Sequence, residues 1–391
     1  MKIAFFTISH KGPMYGGLIE EFARNGHDVT VIVPKYNGKS EIIRENKIDV
    51  LYFWSFPLLN VNIIRKGIAN YFLPYLSMYA VKKLLKNYSF DLIICPTPPL
   101  AYYKPVRYLK KKNTRAKFYL ILRDILPESA RFIGLDKIKP IFDYFRNIEK
   151  KNYELADIIG CLSPKNIEFI KEKNPQININ KLELLPNWRT PKLEIIINQK
   201  EIREKYNLEH KFVVIYGGNM GIPQGLEAVI KLAEIKQKYP EVVFLLVGQG
   251  TEKKKLENLV NVKKIKNVRF YDTIPQSDYL QLMSICDIGI ISLHPNLFIP
   301  CIPSKTIGYW AVKLPILALV DSLTDYGSYV IERSNSGLWS LSSNVQKASK
   351  NFDILYKDKS LRKRMGKNGL NYFIENCTTK ITYNKIIESI K

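Results

Sequence analysis

The chain has 391 residues, is 46% hydrophobic and 25% charged, and carries a formal net charge of +24. These proportions exclude a disordered, collagen-like or disulfide-scaffold protein, and the length suits two domains, each with its own core. Five cysteines (Cys95, Cys161, Cys286, Cys301 and Cys377) lie far apart with no CxxC or Cys/His spacing. Reduced thiols in a cytosolic setting, and no structural zinc, are therefore expected.

Met1-Lys-Ile-Ala-Phe-Phe lacks a signal-peptide cleavage pattern and reads as the start of a strand, Ile3–Ile8. A glycine-bearing loop over His10–Gly17 follows, then a helix over Leu18–Asn25 and a second buried strand, Val29–Val33, closed by Pro34. Between Val50 and Arg123 there are 13 Lys or Arg and a single acid, Asp91, among many aromatics. Such a bias points to an anionic surface or ligand. Within it, Ile68–Val81 carries no charge and is flanked by Arg65-Lys66 and Lys82-Lys83. It falls short of the ~20 residues that span a bilayer. It reads either as a helix buried in the first domain, kinked near Pro74, or as one half sunk in a leaflet with its basic ends on headgroups. Lys104, Arg107, Lys110, Lys111, Lys112, Arg115 and Lys117 form a second basic face, or an ordinary solvated helix.

Further strands are expected at Asp91–Cys95, Phe118–Leu122 and Ala156–Ser163, with a linker at Asn187–Lys192. Phe118–Leu122 ends in Arg123-Asp124, followed by Glu128. Ligands of open parallel sheets bind beyond the carboxyl ends of strands, so Asp124 and Glu128 stand where chemistry occurs, or one serves as a helix cap. After the linker, Phe212–Tyr216 is a continuous apolar run of the kind buried on both faces of a parallel sheet. It breaks at Gly217-Gly218-Asn219-Met220-Gly221 and resumes at helical spacing from Leu226. Strand, glycine turn and helix leave the first helical amides available to a phosphate; a plain tight turn is the alternative. Strands at Val242–Val247, Val268–Tyr271, Cys286–Ser292 and Leu314–Val320 complete the second half. The two openings, about 210 residues apart, imply two similar α/β domains.

Several segments in order resemble a known family. Leu122-Arg-Asp-Ile-Leu-Pro-Glu-Ser129 is similar to an RDLWPES signature, and Ala156-Asp157 with Ser163 also fits. So do Tyr216–Gly221 with Gln224-Gly-Leu226, Val247-Gly-Gln-Gly250, and Pro303-Ser304-Lys305 with Tyr309. Together they resemble bacterial retaining glycosyltransferases of family four, in the branch holding L-fucosamine transferase-like enzymes of surface polysaccharide assembly. The resemblance implies a GT-B fold: two Rossmann-like α/β domains with parallel sheets facing a central cleft. Residues 1–190 would bind the acceptor and be joined by a C-terminal helix, 374–391; residues 198–373 would bind the donor. It implies transfer of a sugar from a nucleoside diphosphate, usually UDP, with retained configuration and without metal. No Asp-x-Asp metal clamp is present.

The sequence departs from the wider family at instructive places. Asn219 and Gln224 stand where many members carry an Arg and a Lys for the diphosphate. The family's paired glutamates would fall near Pro300 and Gly308, and neither is acidic. Lys305, with Ser304 beside it, is therefore expected to meet the diphosphate charge; an ordinary first-turn lysine is the alternative. By resemblance, Gly217, Gly218, Asn219 and Gln224 would admit the donor's phosphates or sugar. Gly248 and Gly250 would pass close to the nucleoside, and backbone at Thr273 and Ile274 would face the base. Gly16, Gly17, Arg123 and His294 would line the cleft, with Asp124 and Glu128 toward acceptor or sugar hydroxyls. The basic, aromatic first half favours a polyprenyl-diphosphate-linked glycan acceptor at an anionic cytoplasmic membrane face. Competing readings are a UDP-sugar 2-epimerase of the same architecture, a basic nucleic-acid-binding protein, and an inactive transferase. The epimerase calls for a more acidic, His-bearing cleft, and no nucleic-acid motif is present.

Overall fold

Apolar runs bounded by turn residues form the strands of two separate sheets. The computed structural model describes residues 1–12, 14–58, 63–191 and 198–391. The chain divides into one unit of Met1–Thr190 with Thr378–Lys391 and a second of Pro191–Cys377.

The first unit holds strands β1 (Lys2–Phe6), β2 (Asp28–Lys35), β3 (Glu41–Glu45), β4 (Ile48–Trp54), β5 (Leu92–Thr97), β6 (Lys117–Leu122), β7 (Ile158–Cys161) and β8 (Leu182–Leu184). They are ordered β3-β4-β2-β1-β5-β6-β7-β8. All pairings are parallel except the edge hairpin β3–β4. Central strands such as β5 (LIICPT) are buried along their whole length, as a sheet covered on both faces requires. The strand order reverses between β1 and β5, which places an open crevice beyond their carboxyl ends.

Two expectations change here. The first helix begins at Tyr15 rather than Leu18, which puts Gly16 and Gly17 in its buried first turn. A Cβ on Gly17 would stand 2.1 Å from Thr190 Oγ1, so the glycine lets the segment leaving the first unit pass close to the helix. The Thr190 and Thr379 hydroxyls share a hydrogen bond of 3.0 Å there, and Trp188 Nε1 donates to the Met14 carbonyl at 3.0 Å. The expected linker is accordingly ordered core at Asn187 and Trp188, both buried. Its last residue, Lys192, lies outside the described residues, as does Pro13 of the expected His10–Gly17 loop. The expected 68–81 helix runs over Ile63–Leu84 with Pro74 inside it. Among the described residues no helix is long and apolar enough to cross a membrane.

The second unit holds β9 (Phe212–Gly217), β10 (Val242–Val247), β11 (Val268–Tyr271), β12 (Ile288–Ser292), β13 (Ile316–Val320) and β14 (Gly337–Leu341). All are parallel and ordered β11-β10-β9-β12-β13-β14. This is a doubly wound sheet with its switch point between β9 and β12. Over that point lies the short helix Lys305–Ala311, held from beneath by Tyr309. The fully buried Tyr309 hydroxyl donates toward the carbonyls of Ile215 (3.2 Å) and Ile290 (3.1 Å), one on each strand flanking the switch. Gly289 makes room for the ring: a Cβ there would stand 2.7 Å from it.

Gly289→Ala should therefore press on Tyr309 and cost about 1–3 kcal/mol, the usual range for overpacking. Denaturant unfolding of variant and parent checks this; equal stability would show that the ring does not need the glycine.

Candidate active site

The carboxyl ends of β9, β10 and β11 enclose a cavity of about 470 Å³ lying wholly within the second unit. Gly217, Gly218 and Asn219 form one wall, Gly248 and Gln249 another, and Thr273, Ile274, Gln276 and Tyr279 the rest. Its shape depends on two glycines in the left-handed region. Gly218 has φ +128°; Gly248 has φ +142°, and a Cβ there would lie 2.0 Å from the Gly218 carbonyl oxygen. The two turns thus touch backbone to backbone. Gly217 admits the Tyr279 ring in the same way, since a Cβ would stand 1.7 Å from its hydroxyl.

The turn spends most of its own amides. Gly218 N–H donates to Val247 O (2.9 Å), and Met220 N–H to Gln249 O (2.8 Å). Gly221 N–H donates to Gln224 Oε1 at 3.0 Å, and Asn219 Nδ2 to the same oxygen at 3.2 Å. Among the described residues the Asn219 N–H alone makes no hydrogen bond in the run Gly217–Gly221 apart from the strand itself. The turn itself thus keeps few open amides; those of the helix start at Leu226 and Glu227 have no backbone acceptor among the described residues. Gln224, expected at the donor, is turned inward as a brace of the loop. Gly250 is likewise a packing position, where a Cβ would meet the Met220 backbone at 2.3 Å.

A positive charge stands beside this wall. The Lys305 Nζ lies 3.7 Å from the centroid of the Tyr216 ring, and a Cβ on Gly218 would be 3.4 Å from that nitrogen. Tyr216 fixes both partners, because its hydroxyl donates to the Asn219 carbonyl at 2.5 Å. Lys305 is half-buried, and among the described residues it pairs with no carboxylate. Desolvation pushes its pKa down to about 7, with Cys301 opposing weakly. The helix it opens is anchored by Tyr309 and by the Thr306 hydroxyl, which donates to Pro303 O at 2.7 Å. Ser304 is exposed and caps nothing with its side chain. His294 is half-buried; its Nδ1 accepts from the Asn296 N–H at 3.2 Å, and its backbone N–H donates to Pro223 O at 2.9 Å.

In the first unit, Arg123 and Asp124 follow β6 directly. The Arg123 N–H donates to Thr97 Oγ1 (3.3 Å), which donates in turn to the Asp124 carbonyl (3.3 Å). The guanidinium lies 5.2 Å from the Trp188 ring. Asp124 is exposed, yet the surrounding protein raises its carboxyl pKa, with Arg123 opposing. Tyr15 sits in the same electrostatic neighbourhood, its phenol pushed up to about 12 mainly by burial. Glu128 is 5% exposed and ion-paired with Arg131 at 2.6 Å, so its carboxylate is engaged within its own turn. Tyr15, Thr97, Trp188, Tyr216, Gln249 and Tyr279 were not singled out as site residues by sequence. Tyr15, Thr97 and Trp188 gather beside Arg123 and Asp124 in the first unit, and Tyr216, Gln249 and Tyr279 beside the glycine turn in the second; within each unit it is the fold that brings them to those places. Among the described residues no three His, Cys, Asp or Glu side chains cluster as metal ligands, and no disulfide forms.

Two Rossmann-like units with parallel sheets define the class: this is a two-domain α/β protein of the GT-B fold, the fold it shares with HepE of Anabaena. That structure, solved with UDP-glucose, matches with a TM-score of 0.71 at 16% identity over 100% of this chain and 99% of its own. Residues 198–372, nearly all of the second unit, match the family described as Glycosyl transferases group 1, and together with the relatives that follow this match makes the chain a glycosyltransferase. It is 23% identical over 330 residues to WbjE of Pseudomonas aeruginosa, named as a glycosyltransferase, covering 82% of this chain and 79% of that one. It is also 23% identical over 359 residues to WcaI of Escherichia coli, whose name assigns it to colanic acid biosynthesis as a glycosyl transferase; 84% and 85% are covered.

The depressed Lys305 pKa has a consequence for stability. The unfolded chain holds that proton up to about pH 10.5 and the folded chain only to about 7, so wild-type stability rises with pH across that window. Lys305→Met should be more stable than the parent at pH 6.5. The gap should close toward pH 9 by no more than ~1.4 kcal/mol per pH unit, the limit for one proton. Parallel urea unfolding at both pH values tests it; a pH-independent difference would show an ordinary lysine.

Proposed function

We propose that the chain transfers a sugar from a nucleoside-diphosphate donor, UDP-linked, to a polyprenyl-diphosphate-linked glycan during assembly of a bacterial surface polysaccharide such as capsule or O-antigen. The observation that carries the reading is the Lys305 ammonium, held on Tyr216 beside Gly218 with no carboxylate to neutralise it. The cavity next to it is within the size of small-molecule sites. The name of WcaI, which places it in colanic acid biosynthesis, supports polysaccharide assembly, and the UDP-glucose held by HepE supports a UDP donor. The LRDILPES segment and the Asp124 it contains support the L-fucosamine transferase-like branch.

In this reading the leaving diphosphate gathers negative charge as the glycosidic bond breaks. Lys305 stabilises that charge, together with the Asn219 N–H and without a metal ion. Because the loop's other amides are already bonded, the lysine supplies most of the electrostatic work. Gly217 and Gly218 let the phosphates reach the backbone, and Thr273 and Ile274 border the base. Ser304, beside Lys305, offers a hydroxyl. The incoming hydroxyl oxygen bonds to the anomeric carbon from the face the diphosphate leaves as that bond breaks, and its proton passes to the departing phosphate oxygen, which retains the configuration. Asp124 orients the acceptor or the sugar, with Arg123 limiting its basicity; His294 borders the donor's sugar end. The enzyme works at the cytoplasmic face of the plasma membrane as a peripheral protein.

UDP and UDP-sugars should raise the melting temperature, because a ligand of the folded state stabilises it. Lys305→Met should weaken UDP binding by roughly 10- to 100-fold, the equivalent of one charge-assisted contact. In the parent, UDP binding at pH 8 should take up a proton, seen as a buffer-dependent calorimetric heat, and affinity should fall as pH rises above 7. Loss of neither affinity nor proton uptake in the variant would remove Lys305 from the donor site. Asp124→Asn should lower turnover tenfold or more with UDP affinity unchanged; a matching loss of UDP affinity would move Asp124 to the donor.

A further inference from the structure

The helix Ile63–Leu84 has two apolar faces, and only one is used by its own unit. Ala69, Leu73, Ser77, Ala80 and Val81 are buried against the fold. On the other side Ile68, Tyr71, Phe72, Tyr75 and Tyr79 are 42–65% exposed. Their spacing of three and four residues makes one continuous stripe along the helix. Phe56 extends it, its ring 5.6 Å from Phe72, and the exposed Trp54 follows at 5.1 Å from Phe56.

Cations border the stripe. Lys104 Nζ lies 3.7 Å from the Tyr75 ring centroid, Lys83 lies 5.8 Å from Tyr79, and Lys82 lies 5.4 Å from Tyr108. None of the three pairs with a carboxylate among the described residues, and the whole interval from Val50 to Arg123 offers only Asp91. Not all of the expected basic face survives. Lys110 is ion-paired with Asp157, and Lys112 donates to the carbonyls of Leu85, Lys86 and Tyr88. Lys82, Lys83 and Lys104 keep their charge beside the aromatics, and the exposed Arg107, Lys111, Arg115 and Lys117, which form no ion pair among the described residues, add to the positive surroundings.

We propose that this stripe is an interfacial docking surface for an anionic lipid bilayer. The tyrosines and Phe72 enter the headgroup–acyl boundary, and Lys82, Lys83 and Lys104 lie on acidic headgroups. Tyrosine suits that depth because its ring is apolar and its hydroxyl stays wet. Acidic lipid is the occupant chosen by charge complementarity, since a neutral protein groove would leave the cations without counter-charge. The inference rests on the peripheral membrane placement proposed above and names the surface that would make it; it does not depend on which donor or acceptor is used.

The test uses the full chain and sugar-free vesicles. Vesicles of phosphatidylcholine with 30% phosphatidylglycerol should sediment the protein, and pure phosphatidylcholine should hold at least tenfold less. Tyr71→Ser/Phe72→Ser/Tyr75→Ser should lower partitioning tenfold or more, and Lys82→Glu/Lys83→Glu should do so at low salt. Brominated lipid should quench Trp54 fluorescence in the wild-type chain, and Trp54→Phe should remove that quenching, a readout independent of whether the triple variant folds. No sedimentation with acidic vesicles, or quenching absent, overturns the proposal. Equal binding by the triple variant also overturns it, leaving attraction without insertion. A dimer that the triple variant dissociates, with vesicles ignored, would make the stripe a contact between copies of this chain. UDP binding intact through any of these failures would leave the catalytic reading standing.

Discussion

The second unit is built around a cation that the protein has half removed from water. Lys305 rests on the Tyr216 ring and presents its ammonium to the Gly218 turn. Holding it there costs solvation, which shows in its depressed pKa. A flexible lysine would otherwise swing into solvent, so the placement depends on the rigidity of what carries it. That rigidity comes from Tyr309, clamped between two strand carbonyls over Gly289, and from the Thr306 hydroxyl, which also meets that of Tyr326 at 2.7 Å. A desolvated charge with no partner is a poor stabiliser of a fold and a good binder of anions.

The glycine turn and the lysine divide one task. A turn with open amides can bind phosphate by itself; this one has bonded its amides to β10, to the following loop and to Gln224. Such a loop is stiff but nearly neutral. It can allow close approach, and it cannot pay out much charge. The Asn219 and Gln224 pair, neutral where relatives of this type carry cations by resemblance, makes sense as a brace once Lys305 is seen to reach the same wall from a different element. In the proposed reading, a lysine from another helix takes over the charge that the resemblance places in the loop, and the element that must stay rigid changes with it.

Much of the fold was legible because buried parallel strands announce themselves. The strand starts and ends at β10 and β11 agree with the apolar runs to the residue. The strands that escaped are those whose signal is diluted: β3 is an edge strand of sequence EIIRE, β8 has three residues, and β14 mixes Gly, Trp and Ser. β4, IDVLYFW, was legible in principle but lies at the entry to the aromatic, basic interval and was read as part of it. At the candidate site, glycines at strand ends could be found by position, yet their reasons could not. Gly17, Gly248 and Gly250 are small because another piece of backbone or side chain passes beside them, and the nearest such contacts lie 30 to 173 residues away in sequence. Glu128 stood in a suggestive motif, but the motif alone does not reveal that Arg131 one turn later takes its charge.

The helix Ile63–Leu84 shows the same limit from the other side. Its uncharged stretch permitted two readings, buried or interfacial, as though they excluded each other. The structure buries one face and leaves an aromatic face exposed. A helix with apolar residues all round is stable in a soluble domain only if both faces are covered or if exposure on one is tolerated for use. Ala, Leu and Val line the inner face, where tight packing favours small and aliphatic groups. Tyrosines dominate the outer one, where a hydroxyl lowers the cost of standing in water. That sorting by chemistry is what a surface alternating between water and a second phase requires, and a simple packing helix would have no reason to make it.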